Sequence, residues 1–261
     1  MAVRRRLHGL ARRVAGGVPP AVREVGLALA ARSSDGPALL PGPPPGPVLV
    51  LAPHPDDETI GAGGAIARHV DRGDDVTVLV ATSGEATRGG GDRVPATREA
   101  ECLAACEALG VERPPVFLRL PDGDLGAHVE ALGRQLRAHG AEARVVYAPS
   151  VLDPHRDHRA ANVGLARAGL DADVYGYEVW SPGPADVLLD VGGVFGRKQR
   201  ALRCYATALE TVDYVRTATG LSAYRSGAAG LGGVGHVEGF LRLEPAEHAA
   251  LVQRAGLLTD G

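Results

Sequence analysis

The sequence contains few cysteines, and this scarcity excludes the disulfide-rich class of small secreted proteins. Only three cysteines occur in 261 residues, and Cys102 and Cys106 lie four positions apart in a predicted helix. No disulfide framework is therefore predicted, and a reducing cytoplasm is the expected compartment. We interpret the Cys102 and Cys106 pair as small buried side chains rather than a metal site, because no histidine lies near it in the sequence.

The sequence also lacks a strong charge excess and a long apolar run. Its formal net charge is −3, so it has no basic surface of the kind that a nucleic acid backbone requires. The first 13 residues are rich in arginine, but no unbroken apolar run follows them, so neither a secretory signal nor a transmembrane segment is predicted. We expect a small-molecule partner; a homo-oligomer stays open.

What the chain does contain is enough apolar material for one large domain. Hydrophobic residues make up 45% of the sequence, which suits a sizeable core. Residues 19–32 have a helical periodicity, and a proline-rich stretch follows at 41–47. We therefore predict an N-terminal helical appendage and linker over residues 1–46 and one catalytic domain over residues 47–261.

Apolar runs of strand length alternate with helical patterns from residue 48 onward. The strand-like runs cover residues 48–52, 76–81, 116–120, 145–148 and 174–179. The helical patterns between them cover residues 60–72, 96–109, 125–138 and 158–168. Fully apolar strands separated by helices predict an α/β fold with a Rossmann-like, mainly parallel sheet and helices on both faces. Ligands of such sheets bind beyond the carboxyl ends of the strands.

Two clusters of histidine and aspartate follow two of these strand-like runs. One is His-Pro-Asp-Asp-Glu at residues 54–58, and the other is His-Arg-Asp-His at residues 155–158. A hydrolytic zinc ion needs three protein ligands and one open position for water, whose pKa it lowers to about 7. His54 and Asp57 lie on the turn after the first strand, and His158 lies after a later one. We predict that these three residues bind Zn²⁺.

The remaining residues of the two clusters have the chemistry of an amide hydrolase. Asp56 lies beside a predicted ligand and is not needed for the metal, so it is the candidate general base. His155 is expected either to stabilise an oxyanion or to protonate the leaving amine. Asp157 is expected to hold an imidazole in its working orientation. Glu58 is interpreted as structural, in the first turn of the following helix.

The segment Ala-Pro-His-Pro-Asp-Asp-Glu-Thr-Ile-Gly at 52–61, together with the second cluster, resembles the two signatures of the LmbE-like, or PIG-L, N-acetylglucosaminyl deacetylase family. The similarity continues through residues 82–85, 98–99, 108–110 and 120–123. The resemblance implies the LmbE-like deacetylase fold and a zinc-dependent hydrolase that removes the N-acetyl group from an acetylated amino sugar or glycoconjugate. It implies that His54, Asp57 and His158 bind zinc and that Asp56 is the general base. It also implies that His155 stabilises the oxyanion or acts as an acid, and that Arg98 faces the acetyl end of the site.

The resemblance weakens in the C-terminal third, where we expect the acceptor to be recognised. Residues 204–207 read Cys-Tyr-Ala-Thr where relatives often have a histidine or tyrosine followed by Ser-Gln, and His236 stands where an aromatic residue is common. We predict that His236 and the glycine-rich stretch before it contact substrate. Trp180 either lines the sugar site or caps the sheet. Asp122, in Pro-Asp-Gly, is interpreted as a turn residue.

Two alternatives stay open. The same site could serve an amidase that acts on a sugar-thiol conjugate, or the fold could serve a non-catalytic nucleotide-binding or regulatory module. Gly61, Gly63 and Gly64 superficially resemble a dinucleotide fingerprint, but Ile66 occupies the third glycine position. The spacing therefore argues against a dinucleotide at this turn.

Overall fold

A computed structural model describes residues 36–85 and 94–255, in which eight strands form one sheet. The strands are β1 (Ala38–Leu40), β2 (Val48–Ala52), β3 (Val76–Thr82), β4 (Val116–Leu120), β5 (Val145–Pro149), β6 (Asp173–Tyr177), β7 (Val187–Asp190) and β8 (Val237–Leu243). Their order across the sheet is β1-β7-β8-β6-β5-β2-β3-β4. All neighbouring pairs among these strands are parallel except the two that involve β8.

Helices cover both faces of the sheet. They are α1 (Asp57–Arg72), α2 (Val94–Leu109), α3 (Val129–Gly140), α4 (Arg156–Ala168), α5 (Phe195–Leu202), α6 (Ala206–Leu209), α7 (Tyr214–Ala228) and α8 (Pro245–Arg254). Short 3₁₀ turns precede α3 and α5. The predicted α/β fold class is thus confirmed. The helix predicted over residues 19–32 lies outside the described residues.

The central strands are buried on both faces, which explains why they are apolar at every position. Val48 and Val50 of β2 point into a core formed with α1, α2 and α5, whereas Leu49 and Leu51 point into a core formed with α3, α4 and α8. All four side chains are at most 2% exposed. Burying one such side chain stabilises the fold by roughly 1.5–3 kcal/mol, so this alternation anchors the middle of the sheet.

The chain reverses its direction of travel across the sheet next to β2. From β2 it proceeds through β3 to β4 on one side and then returns to β5 on the other side of β2. The carboxyl ends of β2 and β5 therefore flank the switch point at which ligands bind in sheets of this kind. The first motif follows β2 and the second follows β5, so both lie at this point.

The C-terminal third completes the sheet in a way that the strand pattern did not predict. Strand β8 inserts antiparallel between β6 and β7, so the sheet is mixed at this side. Strand β1 lies within the segment predicted as a linker, and it pairs in parallel with β7. The predicted domain boundary at residue 46 stays a prediction, although residues 38–40 form part of the sheet.

Helix α1 packs closely against its neighbours, and two glycines permit the approach. A Cβ atom at Gly61 would lie 2.1 Å from the Tyr177 ring, and one at Gly64 would lie 2.7 Å from Val191. These glycines are therefore explained by packing rather than by phosphate binding. The Glu238 carboxylate accepts hydrogen bonds from the N–H groups of Gly64 (2.7 Å) and Ala65 (2.8 Å), which fixes the helix against β8.

None of the helices among residues 36–85 and 94–255 has the length and apolar character needed to cross a membrane.

Candidate metal-dependent active site

Three predicted ligand atoms meet where the two motifs come together. Oδ2 of Asp57 lies 3.0 Å from Nδ1 of His54 and 3.2 Å from Nε2 of His158. Both ring nitrogens of His158 are buried without a hydrogen bond of acceptable geometry, although buried polar atoms are normally satisfied. Two imidazoles and a carboxylate are ligands that zinc prefers. The residues at this point therefore fit a divalent metal ion.

Carboxylates face the far side of each imidazole. Nε2 of His54 lies 3.2 Å from Asp122 and 3.3 Å from Asp157, and Nδ1 of His158 lies 3.3 Å from Asp153. A carboxylate behind a ligating imidazole orients the ring and raises its basicity. Asp157 is held in place by the N–H groups of Gly123 (2.7 Å) and Leu125 (3.3 Å). The imidazole that faces Asp157 is therefore that of His54.

The electrostatics of the cluster favour a positive charge next to Asp57. Burial by itself would lower the pKa of His158, but Asp57 and Asp153 raise it to about 9. Burial likewise opposes the charged form of His54, and the pKa of this ring is nevertheless raised well above its ordinary value by Asp122, Asp157 and Asp57. Burial would raise the pKa of Asp57, but His158 and His54 hold it far below its usual range. A divalent cation would compete with protons for these ring nitrogens.

Asp56 occupies a strained backbone conformation next to the cluster. Its φ of 133° and ψ of −30° lie in a region that residues other than glycine rarely adopt, which costs about 1–3 kcal/mol. Arg98 donates from one nitrogen to Oδ2 of Asp56 (3.0 Å) and to the Pro55 carbonyl (2.7 Å). Burial raises the pKa of Asp56 to about 8, and Arg98 opposes this shift. The side chain is thus held at the cavity rather than used to cap helix α1.

His155 is fixed at the start of helix α4. Its Nδ1 accepts a hydrogen bond from the Asp157 N–H (3.3 Å), so the proton of the neutral ring lies on Nε2. Burial lowers the pKa of His155, and the neighbouring His54 and His158 rings lower it further. The ring therefore favours a neutral Nε2–H donor. A ring nitrogen of His155 also lies within 4.8 Å of ring nitrogens of His54 and His158.

These residues surround a cavity of about 290 Å³, close to the lower limit for small-molecule sites. Its charged and imidazole side chains are those of His54, Asp56, Asp57, Arg98, Asp122 and His155. The rest of the lining comes from Val179, Trp180, Ala208, Thr211 and Tyr214. The Trp180 ring is 53% exposed and stacks on His155, with ring centroids 5.8 Å apart and an angle of 11° between the planes. Trp180 thus lines the cavity.

The structure brings together eight of the nine residues predicted for the site and leaves His236 elsewhere. The His236 ring stacks on Phe195 at a centroid distance of 3.7 Å and contacts the Ser222 hydroxyl at 3.0 Å. The cavity wall after Pro182 comes from residues 208–214 rather than from the glycine-rich stretch or from His236. The predicted contact between this stretch and substrate is therefore not seen around the cavity.

Two carboxylates of the site were not predicted from the sequence. Asp122, interpreted as a turn residue, lies beside His54 and lines the cavity. Asp153 accepts hydrogen bonds from the N–H groups of His155 (2.9 Å) and Trp180 (3.3 Å), besides facing His158. Both follow the carboxyl ends of strands, β4 and β5, and that position was the available signal.

A second group of possible ligand atoms lies behind the cavity. Glu58, Cys102 and Cys106 have ligand atoms within 4.8 Å of one another. The Glu58 carboxylate, however, already accepts hydrogen bonds from Thr59, Tyr205 and the Asp56 N–H. The hydrogen bond with Cys106 and burial raise the pKa of Cys102 well above its ordinary value, which opposes the thiolate that a metal needs. These cysteines are buried, as predicted.

Comparison with known proteins agrees with the motifs. Residues 49–168 match the family model described as PIG-L: GlcNAc-PI de-N-acetylase. This range contains both clusters, so the resemblance inferred from them is confirmed. A conserved protein from Thermus thermophilus, known from a crystal structure, has 27% sequence identity and a TM-score of 0.65 to this chain. That similarity covers 76% of this chain and 94% of the other, and it confirms the fold.

Two curated relatives are similar over part of the chain. The 1D-myo-inositol 2-acetamido-2-deoxy-alpha-D-glucopyranoside deacetylase 1 of Saccharopolyspora erythraea is 34% identical over 170 residues, which are 50% of this chain and 56% of the relative. The "Probable N-acetyl-alpha-D-glucosaminyl L-malate deacetylase 2" of Bacillus cereus is 43% identical over 135 residues, which are 46% of this chain and 60% of the relative. The chain thus spans little more than half the length of these relatives.

Proposed function

Since residues 49–168 carry the match to the PIG-L family, we propose that the chain is a zinc-dependent hydrolase that removes the N-acetyl group from an acetylated amino sugar or glycoconjugate. Acetate and a free amine are the products. The observation that carries the proposal is the meeting of His54, Asp57 and His158 beside a cavity that Asp56 lines. The names of both curated relatives describe deacetylases of acetylated glucosamine compounds.

The metal would be held by His54, Asp57 and His158. Zinc bound there supplies a Lewis acid and lowers the pKa of water to about 7, which makes a nucleophile available near neutral pH. Asp157 and Asp153 keep the two imidazoles oriented with one nitrogen toward Asp57. Removing such a contact behind a metal ligand typically lowers metal affinity or activity by about 10- to 100-fold.

The protein side chains move the proton and stabilise the charge of the reaction. Asp56 accepts a proton from the attacking water as the bond between the water oxygen and the acyl carbon forms. It returns this proton to the nitrogen as the carbon–nitrogen bond breaks. Arg98 keeps the Asp56 carboxylate at the cavity. The Nε2–H of His155 donates to the acyl oxygen as negative charge develops there.

The rest of the cavity would receive the sugar. Trp180 offers an aromatic face at the rim, and Tyr214 forms part of the wall near Asp56 and Arg98. Burial, together with the charges of Asp56 and Asp57, raises the pKa of Tyr214 to about 12, so its hydroxyl stays protonated and can donate to a sugar oxygen. Arg98 lines the cavity beside Asp56, where the acetyl group would be cleaved.

The proposal is tested by acetate release from zinc-loaded protein. The substrates would be N-acetylglucosamine linked to a polyol, to a hydroxy acid and to a lipid, each paired with a longer-chain amide and with a sugar-thiol conjugate. We expect acetate release from at least one acetylated compound and its loss after chelation. Cleavage of only the sugar-thiol amide would identify the alternative amidase. No stoichiometric divalent metal and no hydrolysis would favour a non-catalytic module.

A further inference from the structure

The backbone of Asp56 is held from the side opposite the cavity. Its φ of 133° leaves the Asp56 N–H pointing toward Glu58, whose Oε2 accepts it at 3.2 Å. The Asp56 side chain does not cap helix α1. Glu58 thus satisfies the N–H of the strained residue, and this leaves the Asp56 carboxylate available for the cavity and for Arg98.

Glu58 is itself fixed by two hydroxyl groups. Its Oε1 accepts hydrogen bonds from Thr59 (2.6 Å) and from the hydroxyl of Tyr205. Glu58 is fully buried, and Tyr205 is 1% exposed. A buried carboxylate with an unsatisfied oxygen would be unfavourable, so these hydroxyls keep it in place and on the Asp56 N–H.

Tyr205 reaches this position from the C-terminal third. It lies between α5 and α6, and its ring packs in the core formed with α1 and α2. The same segment is held by Glu101, which accepts hydrogen bonds from the N–H (3.0 Å) and hydroxyl (2.5 Å) of Thr207. The segment that departs from the family pattern is therefore the one that reaches the back of the first motif.

We propose that Glu58 and Tyr205 are positioning residues that hold the backbone of Asp56 in its strained conformation and so aim the Asp56 carboxylate at the reacting atoms. The inference rests on the proposed function, in which Asp56 is the general base. Neither residue lines the cavity, so neither touches substrate. Their effect should therefore fall on the chemical step rather than on substrate binding.

The first test compares two tyrosine variants that each lose one buried hydroxyl. Tyr205→Phe removes the hydrogen bond to Glu58. The matched control, Tyr147→Phe, removes a hydroxyl that contacts His69 at 3.0 Å, away from the cavity. We expect Tyr205→Phe to lower kcat about 10- to 100-fold with KM and zinc content unchanged, in the range of contacts that orient functional groups. Tyr147→Phe should keep kcat near the wild-type value.

A double-mutant cycle tests whether the two residues act together. In a Glu58→Gln background, Tyr205→Phe should lower kcat little further, whereas Tyr147→Phe should add its own small effect. Full additivity of Glu58→Gln and Tyr205→Phe would overturn the inference. So would an equal loss of kcat in the two tyrosine variants, because that result would reflect stability alone.

A crystal structure of metal-free Tyr205→Phe supplies a readout that does not depend on activity. We expect φ of Asp56 to leave the region near 133° and the contact between Asp56 and Arg98 to lengthen. An unchanged Asp56 in this variant would overturn the positioning role even if the wild-type protein is a deacetylase. The converse outcome is a displaced Asp56 in Tyr205→Phe, with no acetate released by the zinc-loaded wild-type protein. That result would refute the proposed function but would establish that Glu58 and Tyr205 position Asp56.

Discussion

Two buried polar clusters contact helix α1, and they differ in how completely their atoms are paired. At the start of the helix, Asp57 faces His54 and His158, and neither ring nitrogen of His158 makes a hydrogen bond of acceptable geometry. In the middle of the helix, the Glu238 carboxylate accepts from two backbone N–H groups and from Lys198 (2.6 Å). Lys198 in turn donates to the Ile60 carbonyl (2.8 Å).

This difference separates a site prepared for a ligand from a contact that holds the fold. A fully paired ion pair stabilises one arrangement of its elements, and removing one partner leaves a buried charge without compensation. An incompletely paired cluster at a cavity still offers atoms that can bind a metal ion or a substrate. Changes in the first cluster should therefore affect metal and activity, and changes in the second should affect stability.

The largest expected effect is a difference in zinc content between a variant of the first cluster and a variant of the second. Asp57→Asn removes a charge from the predicted ligand set, so we expect loss of bound zinc and of all measurable acetate release. Glu238→Gln makes the same chemical change but should retain about one zinc per folded chain, because Glu238 faces α1 and Lys198. Elemental analysis of both variants checks this. Stoichiometric zinc in Asp57→Asn would contradict the ligand assignment.

The next effect distinguishes ligand from base within the first cluster. Asp56→Ala should keep the zinc and lower kcat by roughly 10²- to 10⁴-fold, the usual contribution of a general base. Metal content and steady-state rates are measured on the same preparation. If Asp56→Ala loses the metal while Asp57→Asn keeps it, the two roles are reversed.

The second cluster should determine stability. Glu238→Gln leaves Lys198, at 2% exposure, without its ion-pair partner, so the free energy of unfolding should fall by about 3–5 kcal/mol. The control is Glu130→Gln at the surface, where Glu130 pairs with Arg167 and is 69% exposed; its loss should be about 0–1 kcal/mol. Urea denaturation of both metal-free variants measures the difference. Equal losses would show that the buried pair contributes no more to stability than the surface pair.

The buried residue His248 provides a pH-dependent test of a side chain that affects stability rather than metal binding. Burial lowers the pKa of His248 to about 4, and its Nε2–H donates to Asn162 at 2.8 Å. The unfolded chain binds the proton first as the pH falls below about 6.5, so stability declines from there until about pH 4, by up to about 3 kcal/mol. His248→Gln should show a shallower decline in urea titrations at pH 7 and 4.5. An equal decline in the variant and the wild-type protein would mean that other groups determine the pH dependence of stability.

The smallest expected effect concerns the rim of the cavity. Trp180→Ala removes an aromatic face that is half exposed and stacked on His155. We expect KM for the acetylated sugar to rise by about 5- to 10-fold, in line with roughly 1 kcal/mol for an aromatic contact, with zinc retained. His236→Ala is the matched control, because His236 does not line the cavity. A larger rise in KM for His236→Ala would restore the predicted substrate contact.

The residues of the two motifs could be placed from the sequence because the fold brings strand ends together. Strands β2 and β5 are parallel neighbours, so the loops after them necessarily meet at one edge of the sheet. Asp157 was expected to orient an imidazole, but the sequence could not say which one. The choice of His54 depends on how the loop after β4 and the start of α4 pack.

The C-terminal third was less predictable because its contacts are made between residues far apart in the chain. The antiparallel insertion of β8, the place of Tyr205 behind Glu58 and the cavity wall at residues 208–214 all depend on the path of the chain after Pro182. His236 illustrates the result: its position in the sequence indicated a substrate contact, whereas the structure stacks it on Phe195.

The sequence by itself indicated the α/β class, the resemblance to the PIG-L family and the candidate metal ligands, because strand periodicity and the short motifs are local and parallel strand ends converge. Only the tertiary structure decided which carboxylate stands behind each imidazole, which residues contact the strained Asp56, and which segment lines the cavity after Pro182. The physical reason is that a buried polar atom must find a partner somewhere, and local pattern does not specify which distant residue supplies it.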